Sequence, residues 1–280
     1  MPTYDSPTPI AARVEVARGE VRLVAAARTD TVVDVRPRDP SDPADVAAAD
    51  GTTVDFADGR LTVAGPREHG ADVRPGAIDV RVDLPTGSDA RVDAAAARVT
   101  AEGRLGEARV RTASGDVRLD ETGPARVDTA SGDVTLGRVG GEAHLTAMSG
   151  DVDVTAVDGP AVVRSASGRC WVGEVAGDLR MNAASGHLVV DRAGGRSVVA
   201  KTANGSVRLG DVGRGNVVVQ TASGAIEVGV REGTAAWLDV RSLSGRVRST
   251  LDPADGPAAS DETVQVRART ASGDILVRRA

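Results

Sequence analysis

Four aspartates are the residues best placed by type and spacing to do chemistry. Asp116, Asp133 and Asp151 each follow a Ser-Gly pair at intervals of 17 and 18 residues, and Asp153 stands two residues after the last. Carboxylates brought together at such intervals could hold a hard cation, which wants several oxygen ligands. They could also form the acid/base pair of a polysaccharide-cleaving β-helix. Against both, the same position is occupied further along by Arg169, His187, Ser206, Ala225 and Arg246 before an acid returns at Asp274. A calcium β-roll needs its glycine-aspartate nonapeptide in every coil, so a calcium ladder is not expected. The competing structural role is simpler: an aspartate after glycine caps a turn.

Other catalytic or metal constellations are weaker still. His69, His144 and His187 have no patterned Ser or Asp partner for a nucleophilic triad. Cys170 is the sole cysteine and replaces valine in an apolar column, which suits a buried small residue. It forms no intrachain disulfide, so an oxidising compartment is not implied. None of the usual metal spacings of Cys and His occurs. The segments "GRVGG" and "GDVGRG" resemble pieces of phosphate loops, but no helix follows them. The expectation is a protein without metal, cofactor or catalytic residues.

A second candidate is a row of cations: Arg109, Arg111, Arg126, Arg164, Arg180, Lys201 and Arg241, continued by Arg267 and Arg269. Asp128 and Asp239 are the acids among them. Spaced guanidinium groups could bind an extended polyanion through its phosphates or carboxylates. The bland alternative is a solvated face of an arginine-rich protein, in which Lys201 is the only lysine. The net charge of −6 and a total of four aromatic residues argue against nucleic acid as the partner. Trp171 and Val189 are expected side by side on another face, as a small apolar spot.

The elements that hold these residues follow from an internal repeat. Ser-Gly or Asn-Gly pairs begin at 114, 131, 149, 167, 185, 204, 223, 244 and 272, with steps of 17, 18, 18, 18, 19, 19, 21 and 28 residues. Before each pair, inward residues such as Val110, Val127, Leu145, Val163 and Met181 alternate with outward Arg111, Asp128, Thr146, Arg164 and Asn182. After each pair, Val117, Val134, Val152 and Cys170 begin a second alternation, closed two residues later by Leu119, Leu136, Val154 and Val172. Period-two alternation marks a strand with one buried face. Each coil therefore carries two strands joined at the Ser-Gly corner. A second, glycine-rich bend brings Val139, Val157, Val175, Ala193 or Val212, which could form a short third side.

The near-constant step favours coils stacked about 4.8 Å apart. The expected fold is an all-β, right-handed parallel β-solenoid of about 18-residue coils, the hand following from the crossover rule. A left-handed β-helix is the alternative, but it wants an apolar residue every six positions. Here Val127, Val134, Val139 and Leu145 are spaced 7, 5 and 6. Residues 1–95 are less regular and read as an N-terminal cap or first coils, with "RPRDPSDPADVAAADG" as a loop, and residues 96–280 as regular repeats of the same domain. Arg278 and Arg279 in "ILVRRA" are expected to shield the last edge. The segment "LDPADGPAASDET" is expected to be a polar surface insertion. In each corner, Gly permits a positive φ. The residue two before the Ser (Thr112, Thr129, Ser165, Thr202, Thr221) points inward, where its hydroxyl can bond corner backbone.

With 280 residues, 41% of them apolar, the chain can build a core, but from Val, Leu, Ile and Ala. That suits thin repetitive packing. The "TASGDVRL" and "TASGDVTL" repeats with "VGG" bends, preceded by "DGRLTVAGP" and "IDVRVDLPTGS", resemble the putative-adhesin family of bacterial β-strand-repeat proteins, a domain of unknown function. The resemblance implies a β-helix-like fold and carries over no catalytic residue. The sequence shows no basic and apolar leader and no apolar run of the ~20 residues a membrane helix needs, so a cytoplasmic location is expected. The expected function is a non-enzymatic, adhesin-like scaffold for a protein or extended polymer, the alternative a carbohydrate-active enzyme using the aspartates.

Overall fold

A computed structural model describes residues 2–66, 76–252 and 262–280. The chain forms two compact units, Met1–Gly140 and Gly141–Ala280. Apart from one helix among the described residues, both are built of β-strands stacked in parallel as a β-solenoid.

The first unit contains β1 (Thr3–Asp5), β2 (Ala11–Ala26), β3 (Asp30–Pro37), α1 (Pro43–Asp50), β4 (Thr53–Ala57), β5 (Arg60–Ala64), β6 (Ala77–Pro85), β7 (Asp89–Leu105), β8 (Ala108–Ser114), β9 (Val117–Thr122), β10 (Ala125–Ser131) and β11 (Val134–Val139). Residues 11–26 form one long strand, β2, turned at Gly19 by a φ of +123°. A Cβ at Gly19 would collide with the backbone of Ile78 on the next coil, so the turn is also a close approach. β2 pairs in parallel with β7 on one side and with β5 and β6 on the other. In space, then, residues 11–26 lie between the later strands β5 and β6 on one side and β7 on the other. Antiparallel strands complete that side: β3 pairs with β6, β1 with β3, and β4 with β5 through a hairpin at Asp58-Gly59, both in positive φ. The aromatic rings of Tyr4 and Phe56 stack at 4.9 Å, joining β1 to β4.

The segment expected as a loop at 36–51 contains α1. Asp42 is its N-cap, accepting from the Ala44 N–H, and Pro43 opens the first turn. Buried Asp45 accepts from the Asp39 and Ala77 N–H groups and so ties the helix to β6. The Asp-Pro start and alanine run carried this signal, masked by the many prolines around it.

The second unit contains β12 (Ala143–Ser149), β13 (Val152–Val157), β14 (Ala161–Ser167), β15 (Cys170–Val175), β16 (Leu179–Ser185), β17 (Leu188–Ala193), β18 (Ser197–Asn204), β19 (Val207–Val212), β20 (Gly215–Ser223), β21 (Ile226–Val230), β22 (Thr234–Ser244), β23 (Val247–Ser249), β24 (Glu262–Ser272) and β25 (Ile275–Arg279). Columns repeat in register: Val163 pairs with Met181, Met181 with Ala200, and Ala200 with Val219. All four are buried, as are Cys170, Leu188, Val207 and Ile226 in the second strand. The bend residues Val157, Val175, Ala193 and Val212 are buried. They end the second strand, paired after an unpaired position such as Gly173. With two strands per coil, the six-residue pattern of the hexapeptide helix is absent.

The last coil does not stack in chain order. β24 lies between β20 and β22, and β25 between β21 and β23. Arg278 and Arg279 therefore do not shield an edge. Arg278 pairs with Glu227, and Arg279 donates to the Arg231 and Thr234 carbonyls. The 28-residue step before Ser272 gives the chain enough length to step past β22 and β23. Most of the expected polar insertion, residues 253–261, lies outside the described residues, as does His69.

Candidate functional site

The corners come first, because they decide what the aspartates do. At Gly168 the φ is +116°, and a Cβ would overlap the Gly150 carbonyl of the coil below. Only glycine fits both constraints. The inward hydroxyls bond corner carbonyls as expected: Thr112 to Ser114 at 2.7 Å, Thr129 to Ser131 at 3.1 Å, Ser165 to Ser167 at 3.0 Å and Thr221 to Gly205 at 3.1 Å.

The corner carboxylates act between coils. Asp116 Oδ1 accepts the Asp133 N–H at 3.2 Å, Asp151 Oδ1 the Arg169 N–H at 2.8 Å, and Asp274 Oδ1 the Arg246 N–H at 2.8 Å. Each caps a corner amide that faces outward from the adjacent coil, the side-chain analogue of a turn bond. Asp89 and Asp178 do the same at the opposite bend, to Glu107 and to Arg196 and Ser197. His187 stands in this column too. Its Nδ1 accepts the Ser206 N–H at 3.2 Å and lies 2.7 Å from Ser206 Oγ. The column order Arg169, His187, Ser206 placed these two one coil apart, and the expectation that His187 lacks a serine partner is thereby corrected.

Of the four aspartates, Asp116 and Asp133 meet in the first unit and Asp151 and Asp153 in the second. Asp151 and Asp153 are bridged by Arg169, whose guanidinium lies 3.9 Å from the first and 3.2 Å from the second. No group of three or more potential ligands capable of holding a metal ion occurs among the described residues. Cys170 is fully buried, and burial pushes its thiol up to about 11, away from nucleophilic use. Trp171 pairs with Val189 as expected, and its indole N–H donates to Asp191 at 3.0 Å.

The cations lie on the outward side of the strands preceding the corners, but their surroundings differ between units. In the first unit Arg13, Arg91, Arg109 and Arg126 stack on consecutive strands. Each is matched by an acid two residues away in the chain, Arg13 by Glu15, Arg91 by Asp93 at 2.8 Å, Arg109 by Glu107 at 2.6 Å and Arg126 by Asp128 at 3.1 Å. Arg111 shares Asp128 at 3.8 Å. Arg13, Arg60, Arg91 and Arg109 line a shallow groove of about 340 Å³, together with Asp89 and Glu107.

In the second unit Arg164, Arg180 and Lys201 are exposed, and none of them has an ion-pair partner among the described residues. Arg241, Arg267 and Arg269 instead converge on Asp239, at 3.1, 3.5 and 3.2 Å. The hydrogen bond from Arg269, aided by the charges of Arg241 and Arg267, holds the Asp239 carboxyl below the ordinary aspartate range. Among the described residues no helix is long and apolar enough to cross a membrane.

Comparison with known proteins places this geometry. A family model described as Toastrack DUF4097 matches residues 14–278. No curated protein matches the sequence. Similar solved structures include a putative adhesin from Parabacteroides distasonis, 12% identical with a TM-score of 0.44 over 98% of this chain and 96% of that one. Another, from Parabacteroides merdae, is 10% identical with a TM-score of 0.36 over 98% and 95%.

Proposed function

The chain belongs to the Toastrack DUF4097 family, and on that premise we propose that it is a non-enzymatic, adhesin-like scaffold that holds a protein or polymer partner against a rigid strand face. The observation that carries this reading is the employment of the corner groups. Asp116, Asp151, Asp274 and His187 accept backbone N–H groups of the neighbouring coil, so residues best suited to acid/base chemistry hold the stack together instead. The carboxylates of Asp116 and Asp151 already accept an amide of the next coil and face a guanidinium, so their oxygens are engaged in contacts of the fold.

Parallel pairing supports the reading further. Outward side chains of successive coils fall in straight columns at about 4.8 Å, a spacing suited to repeated contacts with a linear partner. The test is a hydrolysis assay on a panel of polysaccharides with the intact chain, alongside Asp133→Asn and Asp151→Asn. No cleavage by any of the three is expected. Cleavage by the parent chain that either substitution abolishes would overturn the scaffold reading.

A further inference from the structure

We propose that the outward face of the strands preceding the corners in the second unit binds a linear anionic polysaccharide, with Arg164, Arg180 and Lys201 as its principal contacts. This rests on the scaffold reading and deepens it by naming the site and the ligand class.

The argument begins with register. Arg164 pairs with Asn182, Asn182 with Lys201, Lys201 with Gln220, Gln220 with Arg269 and Arg269 with Arg241. The neighbouring outward column runs Val162, Arg180, Val199, Val218, Arg267, Asp239. Across these two columns six cations face one carboxylate, Asp239. The corresponding two columns of the first unit carry five cations, Arg13, Arg91, Arg109, Arg111 and Arg126, against three carboxylates, Glu15, Asp93 and Asp128. Five against three leave a smaller excess, and each of those arginines has an ion-pair partner. Six against one are a track of positive potential on a chain whose total charge is −6.

The free cations are spaced for a polymer. Arg164 and Lys201 are two coils apart, roughly 10 Å at the strand spacing, about the length of a disaccharide. Arg180 sits on the coil between them, offset by one column. The uncharged members of the track are hydrogen-bonding Asn182 and Gln220 and half-buried Val162, Val199 and Val218. Amides suit sugar hydroxyls, and an apolar strip suits the C–H faces of pyranose rings. Nucleic acid fits less well. Unpaired bases want aromatic platforms, and these columns contain none.

The test is binding of heparin and of polygalacturonate to the intact chain by calorimetry, at several salt concentrations, with dextran and single-stranded DNA as comparators. The two anionic probes separate sulfate from carboxylate recognition. Binding should weaken steeply with salt, since neutralising a polyanion releases counterions. Arg164→Glu with Lys201→Glu should weaken it at least about tenfold, and Arg109→Glu with Arg126→Glu less than about threefold. Arg164→Lys should retain most of the affinity, and unchanged melting temperatures would show that the variants fold. Equal losses in the two units, a flat salt response, or tighter binding of DNA than of either polysaccharide would overturn the proposal. Binding of dextran alone would sink this site and leave the scaffold reading standing. Cleavage of any probe would sink the scaffold reading itself.

Discussion

The outermost coil of the first unit and that of the second are built from the same alternation but meet different surroundings. In the first, β5 and β6 are flanked by β4 and β3, and Leu61, Val63, Ile78 and Val80 are at most 2% exposed. In the second, β22 and β23 pair only with β24 and β25 among the described residues. There Val240, in an inward column, is half-buried, Val247 is 44% exposed, and Trp237 and Leu243 are exposed at 55% and 88%. An inward-facing valine is thus not a buried valine. Alternation sets the direction of a side chain, and a neighbouring coil supplies its burial. The bare coil instead carries Asp239, Arg241 and Arg248, charges that discourage further strand addition.

This contrast can be broken or sharpened by substitution, with an interior coil as reference. Gly168→Val is expected to cost about 3 kcal/mol or more, since it adds a forced positive φ to a backbone clash. Ser167→Ala beside it, on an exposed side chain, should cost less than about 0.5 kcal/mol. Urea denaturation measures both, and equal effects would show that the corner is misunderstood. Leu61→Ala in the covered coil should cost about 3 kcal/mol, against about 1 kcal/mol or less for Val240→Ala in the bare one. Comparable losses would mean that the two outer coils are equally packed. Tyr4→Ala should remove about 1 kcal/mol through the lost stack on Phe56, whereas Trp237→Ala should leave the unfolding midpoint nearly unchanged.

The last pair of tests concerns two carboxyls on these coils with opposite shifts. Burial raises Asp79 on β6 above the usual range, and its Oδ1 is buried without a hydrogen-bond partner. A raised acid is proton-rich in the folded state, so its contribution weakens as pH rises from its unfolded value through its folded one. Asp79→Asn should therefore raise the melting temperature slightly at pH 7. Asp239 is depressed by Arg269 and its neighbours, so its contribution is present above the unfolded value and is lost as pH falls through the folded one. Asp239→Asn should lower the melting temperature at pH 7 and have no effect once the carboxyl is protonated in both states. Melting curves from acid to neutral pH would show whether the two profiles diverge in these directions.

Much of the site was legible in the chain. Parity alone put Arg164, Arg180 and Lys201 outward, and the repeat put them on neighbouring coils. What parity could not show was neutralisation. In the repeats "ARVDTASG" and "AVVRSASG" Arg126 stands where the second has Val162 and Asp128 where the second has Arg164, so the first carries an ion pair along its strand and the second a cation with only uncharged side chains beside it. The use of the aspartates was half legible. A capping role follows from Asp after Gly, but its target is an amide on the adjacent coil rather than within its own turn, a contact that exists only once coils stack. The helix at Pro43–Asp50 was hidden because prolines and aspartates that mark a loop also open helices.

By itself the sequence determined the strands, their inward and outward faces, the glycine corners and the two-strand coil, because each is set by short-range sterics and a period of two. Only the tertiary structure decided which coils became neighbours. The inward columns of β20, β22 and β24 are near copies, Val219, Val240 and Ala268, so any of the three could stack on another with little to distinguish them locally. The choice of β24 as the middle member, and of β2 between β5–β6 and β7, rests on chain length between coils and on the summed pairing of whole strands, which no single window of residues contains.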